Sequence, residues 1–186
     1  LVSGVELLAR LPEDHPDYKK YSNYLKRLEI VKATERRVRF RAFGDSSLDF
    51  ELLVWDDGST DDTVAIARTY AQTDPRVKVI ATPHWGRVPA LYAALKLTTG
   101  QYLGWVDSDD LLAPTALAET VAALESNEHL GWVYTDYVNI DSAGKLLSYG
   151  KRCHIPFSPT RLLVDFMTFH FRLVRRTAFE QAGGID

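Results

Sequence analysis

The chain contains the run Gln101-Tyr102-Leu103-Gly104-Trp105-Val106-Asp107-Ser108-Asp109-Asp110, in which a short apolar stretch ends at three carboxylates. Apolar stretches of this length with polar borders are typical of buried strands. Ligands of open α/β sheets bind just outside the carboxyl ends of such strands. Carboxylates this close repel one another unless a cation lies among them, and carboxylate oxygen suits Mg²⁺ or Mn²⁺. The run predicts a strand with a cation site at its tip; the alternative is that Asp109 or Asp110 caps the next helix and Asp107 is solvated.

Composition limits the class of protein. The chain has 186 residues, 46% of them hydrophobic, and this length is enough for one α/β domain with a real core. Its net charge of −3 gives no field that would attract nucleic acid. Cys153 is the single cysteine, which excludes an internal disulfide and favours a reducing compartment. Because no apolar run is long enough to span a bilayer, we expect a cytoplasmic protein, or one attached to the inner face of a membrane.

The first part of the chain differs in pattern from the rest. Residues 1–47 predict a helical segment, with apolar side chains at helical spacing up to about residue 32. Residues 37–43 alternate between arginine and apolar residues, which predicts an edge strand. The chain starts without methionine and stops within what reads as a turn. We expect both ends to be cuts in a longer protein.

Strands and helices alternate from residue 48 to residue 186. Apolar runs predict strands at 50–55, 76–80, 102–106, 129–135 and 171–174, and helical patterns occupy 64–71, 88–97, 114–124, 158–166 and 177–182. Asp141 to Gly144 predict the turn of a small hairpin. This alternation predicts an α/β domain over 48–186, with a mainly parallel sheet flanked by helices.

Another acidic strand tip lies about fifty residues earlier in the chain; it is called the first tip below, and the tip at Asp107 to Asp110 the second. The run Asp56-Asp57-Gly58-Ser59 follows an apolar strand, and its glycine allows a sharp turn and close approach to a ligand. Carboxylates suit hydrogen bonds to a base N–H or to ribose hydroxyls. Since both tips would share one sheet edge, we expect a nucleotide base and sugar at the first and a metal-bound diphosphate at the second. The alternative for the first tip is an acidic helix start favoured by the helix dipole.

These two segments resemble a known family. Residues 49–63 are similar to the nucleotide-binding segment of family 2 glycosyltransferases with the GT-A (Rossmann-like) fold, and residues 99–110 resemble the Asp-X-Asp metal motif of that family. Residues 132–136, 141–144 and 170–173 resemble the chondroitin- and hyaluronan-polymerase-type members. The resemblance covers residues 48–186.

The resemblance implies a metal-dependent, inverting transfer of a sugar from a nucleoside diphosphate sugar, here a UDP-sugar, to a glycan or other hydroxyl acceptor in polysaccharide biosynthesis. It assigns nucleotide-sugar binding to Asp56, Asp57, Arg87 and Asp107, and Mn²⁺ or Mg²⁺ binding to Asp109 and His170. His170 could instead be a packed core histidine, and Arg87 a solvated loop residue. His84 and Trp85 share the loop of Arg87, where stacking on the donor is an option.

The sequence also departs from the family pattern. The Pro-Thr-Tyr-Asn strand that usually precedes the Asp-Asp-Gly-Ser segment has no counterpart in residues 37–48. Gly183-Gly184-Ile185-Asp186 matches the turn that precedes the catalytic base of the family, so we expect the base beyond Asp186.

Two other functions compete with sugar transfer. One is a GT-A-like fragment that binds but does not catalyse. The other is a receiver-like signalling domain, whose acidic pair, phosphoacceptor and hydroxyl residue would be Asp56, Asp57, Asp107 and Thr135. A receiver domain needs neither the Gly58 turn nor three acids at the second tip, which favours the glycosyltransferase.

Overall fold

The computed structural model of the chain describes residues 2–5, 49–142, 144–169 and 171–185. The strands are β1 (Val2–Val5), β2 (Leu52–Asp57), β3 (Val77–Thr82), β4 (Tyr102–Trp105), β5 (Leu111–Leu112), β6 (Trp132–Tyr134), β7 (Tyr137–Ile140), β8 (Leu146–Tyr149) and β9 (Arg172–Arg175). The helices are α1 (Thr63–Thr73), α2 (Arg87–Leu97), α3 (Ala116–Glu125), α4 (Pro159–Leu162) and α5 (Arg176–Gln181). The helix and the edge strand predicted within residues 6–47 lie outside the described residues, and the proposed boundary at residue 48 stays a prediction.

The parallel pair β2 and β3 sets the position of the first acidic tip. Its register runs from Leu52 opposite Val77 to Asp57 opposite Thr82. Parallel strands need a crossover, and α1 provides it with Ala67 buried. The loop that follows Thr82 therefore leaves the sheet at the edge where Asp57 lies.

The second acidic tip follows β4, which pairs antiparallel with β9. Trp105, the last residue of β4, lies opposite Arg172, the first residue of β9. β9 also pairs antiparallel with β6. This arrangement brings Arg172 to the sheet edge at which the Asp107 segment leaves β4.

The sheet pairing is mixed. Parallel pairs join β2 to β3 and β1 to β5, as the predicted parallel architecture requires, whereas β6, β7, β8 and β9 form antiparallel pairs. The predicted hairpin is confirmed, because β7 and β8 pair across the turn from Asp141, whose carboxylate accepts a 2.8 Å bond from the Lys145 N–H. The short turn between β7 and β8 can join only antiparallel strands, which explains the direction of that pair.

The core forms where α3 packs on β9. Leu124 of α3 and Phe171 and Leu173 beside and within β9 are almost fully buried. Each such side chain contributes roughly 1.5–3 kcal/mol through burial. A Cβ at Gly104 would lie 2.6 Å from the Phe171 ring, so only glycine allows this ring to cross β4.

One predicted helix is shorter than expected. The pattern over 158–166 predicted a helix, yet α4 ends at Leu162, with the Ser158 side chain accepting a bond from the Arg161 N–H. Leu163 and Val164 are 84% and 88% exposed, so no apolar face is packed that would extend the helix. None of the helices within the described residues is long and apolar enough to cross a bilayer.

Glu51 ties the start of β2 to the segment before β4. Its Oε1 accepts bonds from the Thr99 N–H, the Thr99 hydroxyl (3.1 Å) and the Gly100 N–H (3.2 Å), and Lys78 Nζ lies 3.0 Å from its Oε2. These bonds, above all that from the Thr99 N–H, lower the pKa of Glu51 to about 2. The sequence pattern places Glu51 in an apolar run and predicts no role for it.

Replacing Glu51 with glutamine removes the charge that these donors solvate. We expect Glu51→Gln to lower the free energy of unfolding by roughly 1–3 kcal/mol. The folded-state pKa is depressed, so the contribution is complete above the ordinary pKa of 4.5 and is lost as the pH falls towards about 2. Urea unfolding between pH 3 and pH 7 measures both effects.

Asp49→Asn is the matched control, because Asp49 is an exposed acid two residues away. It should change stability by less than about 0.5 kcal/mol at every pH. Equal losses of stability in the two variants would show that the hydrogen bonds of Glu51 make no specific contribution to stability.

Candidate active site

The two carboxylates of the first tip have different surroundings. Asp56 is buried, and its Oδ2 accepts bonds from the backbone N–H groups of Gly58 (3.3 Å) and Ser59 (3.1 Å). Such bonds to a local turn are typical of aspartate. Asp56 therefore shapes the turn, while Asp57 points towards the neighbouring loop.

Asp57 holds the loop of residues 84–86, which connects β3 to α2. Its Oδ1 accepts the Trp85 N–H at 2.7 Å, and its Oδ2 accepts the Gly86 N–H at 2.9 Å. His84 Nδ1 lies 2.8 Å from the same Oδ2. The Trp85 N–H contributes most to a lowered pKa of Asp57, followed by the Gly86 N–H and His84, so the carboxylate stays ionised.

Gly58 makes this contact possible. Its φ is +92°, and a Cβ there would lie 2.8 Å from the His84 backbone nitrogen. The sequence predicted a sharp turn and a close approach to a ligand at Gly58. In the structure, the partner that approaches closely is the loop of residues 84–86.

Arg87 connects this loop to the second tip. As the first residue of α2, it places its guanidinium Nη2 3.0 Å from Asp107 Oδ1. The Asp110 N–H donates to the Asp107 carbonyl at 3.0 Å, which closes the turn after β4. Asp110 is buried and Asp109 is exposed, so Asp109 is the carboxylate of the tip that faces solvent.

Three of the four predicted nucleotide-sugar residues thus meet through one loop. Asp57 accepts hydrogen bonds from the backbone of the loop, and Arg87, which follows the loop, contacts Asp107. Asp56 supports the turn beside Asp57. Trp85, at the centre of the loop, is 50% exposed and packs on Trp55 with ring centroids 5.6 Å apart. The site consequently presents an aromatic face and two carboxylates that are connected through Arg87, although β2 and β4 belong to different sheets among the described strands.

The structure describes one of the two predicted metal ligands. Asp109 offers an exposed carboxylate, whereas His170 lies outside the described residues. No group of three or more potential metal-binding side chains occurs within the described parts of the chain. Neighbouring Phe171 is fixed, since its N–H donates to the Thr135 hydroxyl at 2.8 Å and its carbonyl accepts the Thr135 N–H at 3.0 Å.

Arg172 lies at the site although no sequence pattern predicted it there. It is half-buried, its Nε donates to the Thr168 carbonyl at 2.7 Å, and its guanidinium lies 4.9 Å from the centre of the Phe166 ring. Burial lowers the pKa of Arg172, and the Asp107 carboxylate opposes that shift. Its place at the start of β9, opposite the end of β4, follows only from the strand pairing.

The chain is similar in sequence to known proteins. A statistical model of the family described as glycosyl transferase family 2 matches residues 23–183. A chondroitin synthase of Escherichia coli is 34% identical over 145 residues, which are 78% of this chain and 21% of the relative. A hyaluronan synthase of Pasteurella multocida is 30% identical over 145 residues, 78% of this chain and 15% of the relative. The chain therefore spans about a fifth or less of the length of these two relatives.

Substitution of Gly58 tests the contact between the first tip and the loop. Gly58→Ala should destabilise the chain through both the positive φ and the contact with His84. The backbone term is on the order of 1–3 kcal/mol, and overpacking adds roughly 1–3 kcal/mol. Thermal or urea unfolding measures the sum.

Gly183→Ala isolates the backbone term. Gly183 has a φ of +94°, and no atom of the described residues lies within 4 Å of the position that its Cβ would take. We expect the Gly58 variant to lose clearly more stability than the Gly183 variant. Equal losses of stability would mean that the loop of residues 84–86 leaves room for a Cβ at position 58.

Proposed function

Because the chain belongs to glycosyl transferase family 2, we propose that the site between Asp57 and Asp107 binds a nucleoside diphosphate sugar, specifically a UDP-sugar, and serves transfer of its sugar to a hydroxyl acceptor. Family membership confirms the predicted family and its GT-A fold. It also leaves the receiver-like alternative without support. One observation carries the proposal: the loop of residues 84–86, together with Arg87, joins Asp57 to Asp107.

The first tip suits the nucleoside. An ionised carboxylate has about four acceptor positions, and three donors of the loop already face Asp57. Its side chain is 23% exposed, which leaves room for a hydrogen bond from a base or a ribose. The adjacent Trp85 ring offers a flat apolar face on which a base stacks favourably.

The second tip suits the diphosphate and the sugar. Arg87 is 71% exposed and supplies a cation for phosphate oxygens, for which guanidinium is well shaped. Asp107 lies within reach of the same group and is assigned to the sugar side. When bound, a Mn²⁺ or Mg²⁺ ion held by Asp109 and His170 would offset the charge of the departing diphosphate.

The reaction is proposed as a single displacement with inversion. The acceptor oxygen bonds to the anomeric carbon as the bond to the diphosphate breaks, and a base takes the hydroxyl proton. The described residues bind and orient the donor, which is a large share of the catalytic task in such displacements.

The nucleoside assignment is tested by calorimetry with UDP. Asp57→Asn should weaken UDP binding by about tenfold or more, because the amide cannot accept from all three loop donors. Asp62→Asn is the control, since Asp62 is an exposed acid at the start of α1. Similar UDP affinity in both variants would count against Asp57.

The metal assignment is tested by UDP titrations with and without Mn²⁺. Asp109→Ala should remove the gain in UDP affinity that Mn²⁺ confers, and His170→Ala should reduce it. His129→Ala, at an exposed histidine, is the control. If Mn²⁺ acts equally on the His170 variant and the parent, His170 is a core residue; if UDP binds neither with nor without metal, the proposed donor site is wrong.

A turnover assay distinguishes an enzyme from a domain that binds the donor without catalysis. Release of UDP from a UDP-sugar in the presence of Mn²⁺ supports an enzyme. Binding of UDP without release, across a range of sugars and acceptors, would support a binding domain instead.

A further inference from the structure

The most exposed large apolar side chains of the described residues lie in one turn, directly after α4. Leu163 and Val164 are 84% and 88% exposed, whereas no other large apolar side chain that the structure describes exceeds 52%. Phe166, two residues further on, is also exposed. We call residues 163, 164 and 166 the apolar projection. Single apolar side chains on a surface need no explanation, whereas contiguous exposed ones mark sites of interaction.

Hydrogen bonds hold the backbone of this turn in place. The N–H groups of Val164 and Asp165 donate to the Arg161 carbonyl at 3.0 Å and 2.8 Å. The Asp165 carboxylate accepts the Phe166 N–H at 2.9 Å, and it also pairs with the guanidinium groups of Arg152 and Arg161. The apolar side chains cannot turn inward without breaking these bonds, so their exposure follows from the structure of the turn.

The surroundings of the apolar projection are basic. Residues 150–169 contain Lys151, Arg152 and Arg161 but only one acid, Asp165, so three positive charges and one negative charge give this segment a net charge of +2, with histidine neutral. The whole chain, by contrast, has a net charge of −3. Asp165 contacts both arginines, yet its single charge can balance only one of them, and both guanidinium groups remain partly exposed. Positive charge therefore lies beside the apolar projection.

This combination fits a lipid surface better than a protein. Apolar side chains that project among cations are typical of segments that insert into the interface of an anionic bilayer. A symmetric contact between two copies of the chain would bring the arginines of one copy against those of the other, which is unfavourable. A stable protein partner usually covers about 800 Å² on each side, which is more than three side chains supply.

We propose that the apolar projection inserts into the surface of a membrane that contains anionic lipids, with Arg152, Arg161 and Lys151 facing the lipid phosphates. Insertion removes the apolar side chains from water, and the negative headgroups balance the excess positive charge. The Arg172 guanidinium lies 4.9 Å from the centre of the Phe166 ring, so the projection lies on the flank of the candidate active site. A domain attached in this way holds its site close to the membrane.

The test is co-sedimentation of the full chain with vesicles of phosphatidylglycerol and phosphatidylcholine in equal parts, and with vesicles of phosphatidylcholine alone. We expect binding to the anionic vesicles that weakens as salt is added, and little binding to the neutral ones. The double variant Leu163→Ser, Val164→Ser should bind the anionic vesicles about tenfold or more weakly, because the inserted carbon atoms are lost. Leu147→Ser, at an exposed leucine of β8, is the matched control and should bind as the parent does.

A second pair of variants tests the charge. Arg161→Gln should lower the affinity for the anionic vesicles by about fivefold, since each basic residue near a lipid surface contributes about 1 kcal/mol. Arg68→Gln, at an exposed arginine of α1, should leave that affinity unchanged. Circular dichroism checks that each variant is folded, and Lys151→Gln replaces Arg161→Gln if the latter is not.

The contrary outcomes are distinct. No binding of the parent to either vesicle would overturn the proposal, as would equal binding by the parent and the double serine variant. An equal loss in Leu147→Ser would show that binding does not depend on the apolar projection. If light scattering showed that the double variant loses self-association instead of vesicle binding, the projection would belong to a contact between copies. None of these measurements involves UDP, so their outcome is independent of the proposed function.

Discussion

The site depends on the hydrogen bonds that Asp57 accepts from the loop of residues 84–86. Two backbone N–H groups and His84 converge on one carboxylate at the end of β2. Charge-assisted bonds of this kind are about twice as strong as neutral ones. They fix the start of α2, and with it the position of Arg87. Asp57, at the end of β2, thus helps to position Arg87 beside Asp107 of the second tip.

The second tip is held from both ends of its strand. Glu51 fixes the segment before β4 to the start of β2, and Arg87 contacts Asp107 after β4. Arg176 adds a 2.7 Å bond from its Nε to the Gly100 carbonyl. Because side chains supply these ties, the two acidic tips keep their spacing although no backbone ladder between β2 and β4 occurs among the described strands. Such support is what a preorganised binding site needs.

Much of this arrangement could be predicted from the sequence. The apolar runs before Asp57 and Asp107 predicted strands with acidic tips that share one sheet edge. Among the described residues, β2 and β4 belong to different sheets, and the two tips are connected through Arg87 instead. Local patterns could not give the partners, because those depend on contacts between residues far apart in the chain. Asp57 was predicted to face a ligand, yet most of its acceptors face the loop. Glu51 and Arg172 were missed for the same reason: each lies in an ordinary strand pattern, and only the pairing of distant segments gives it a role.

The most direct test is a crystal structure of the chain with UDP and Mn²⁺. The account predicts the uracil or ribose within hydrogen-bond distance of Asp57 and beside the Trp85 ring, with the diphosphate near Arg87 and the tip at Asp107 to Asp109. UDP bound away from Asp57, Arg87 and Asp107 would contradict it, as would a complex in which the loop of residues 84–86 has left Asp57.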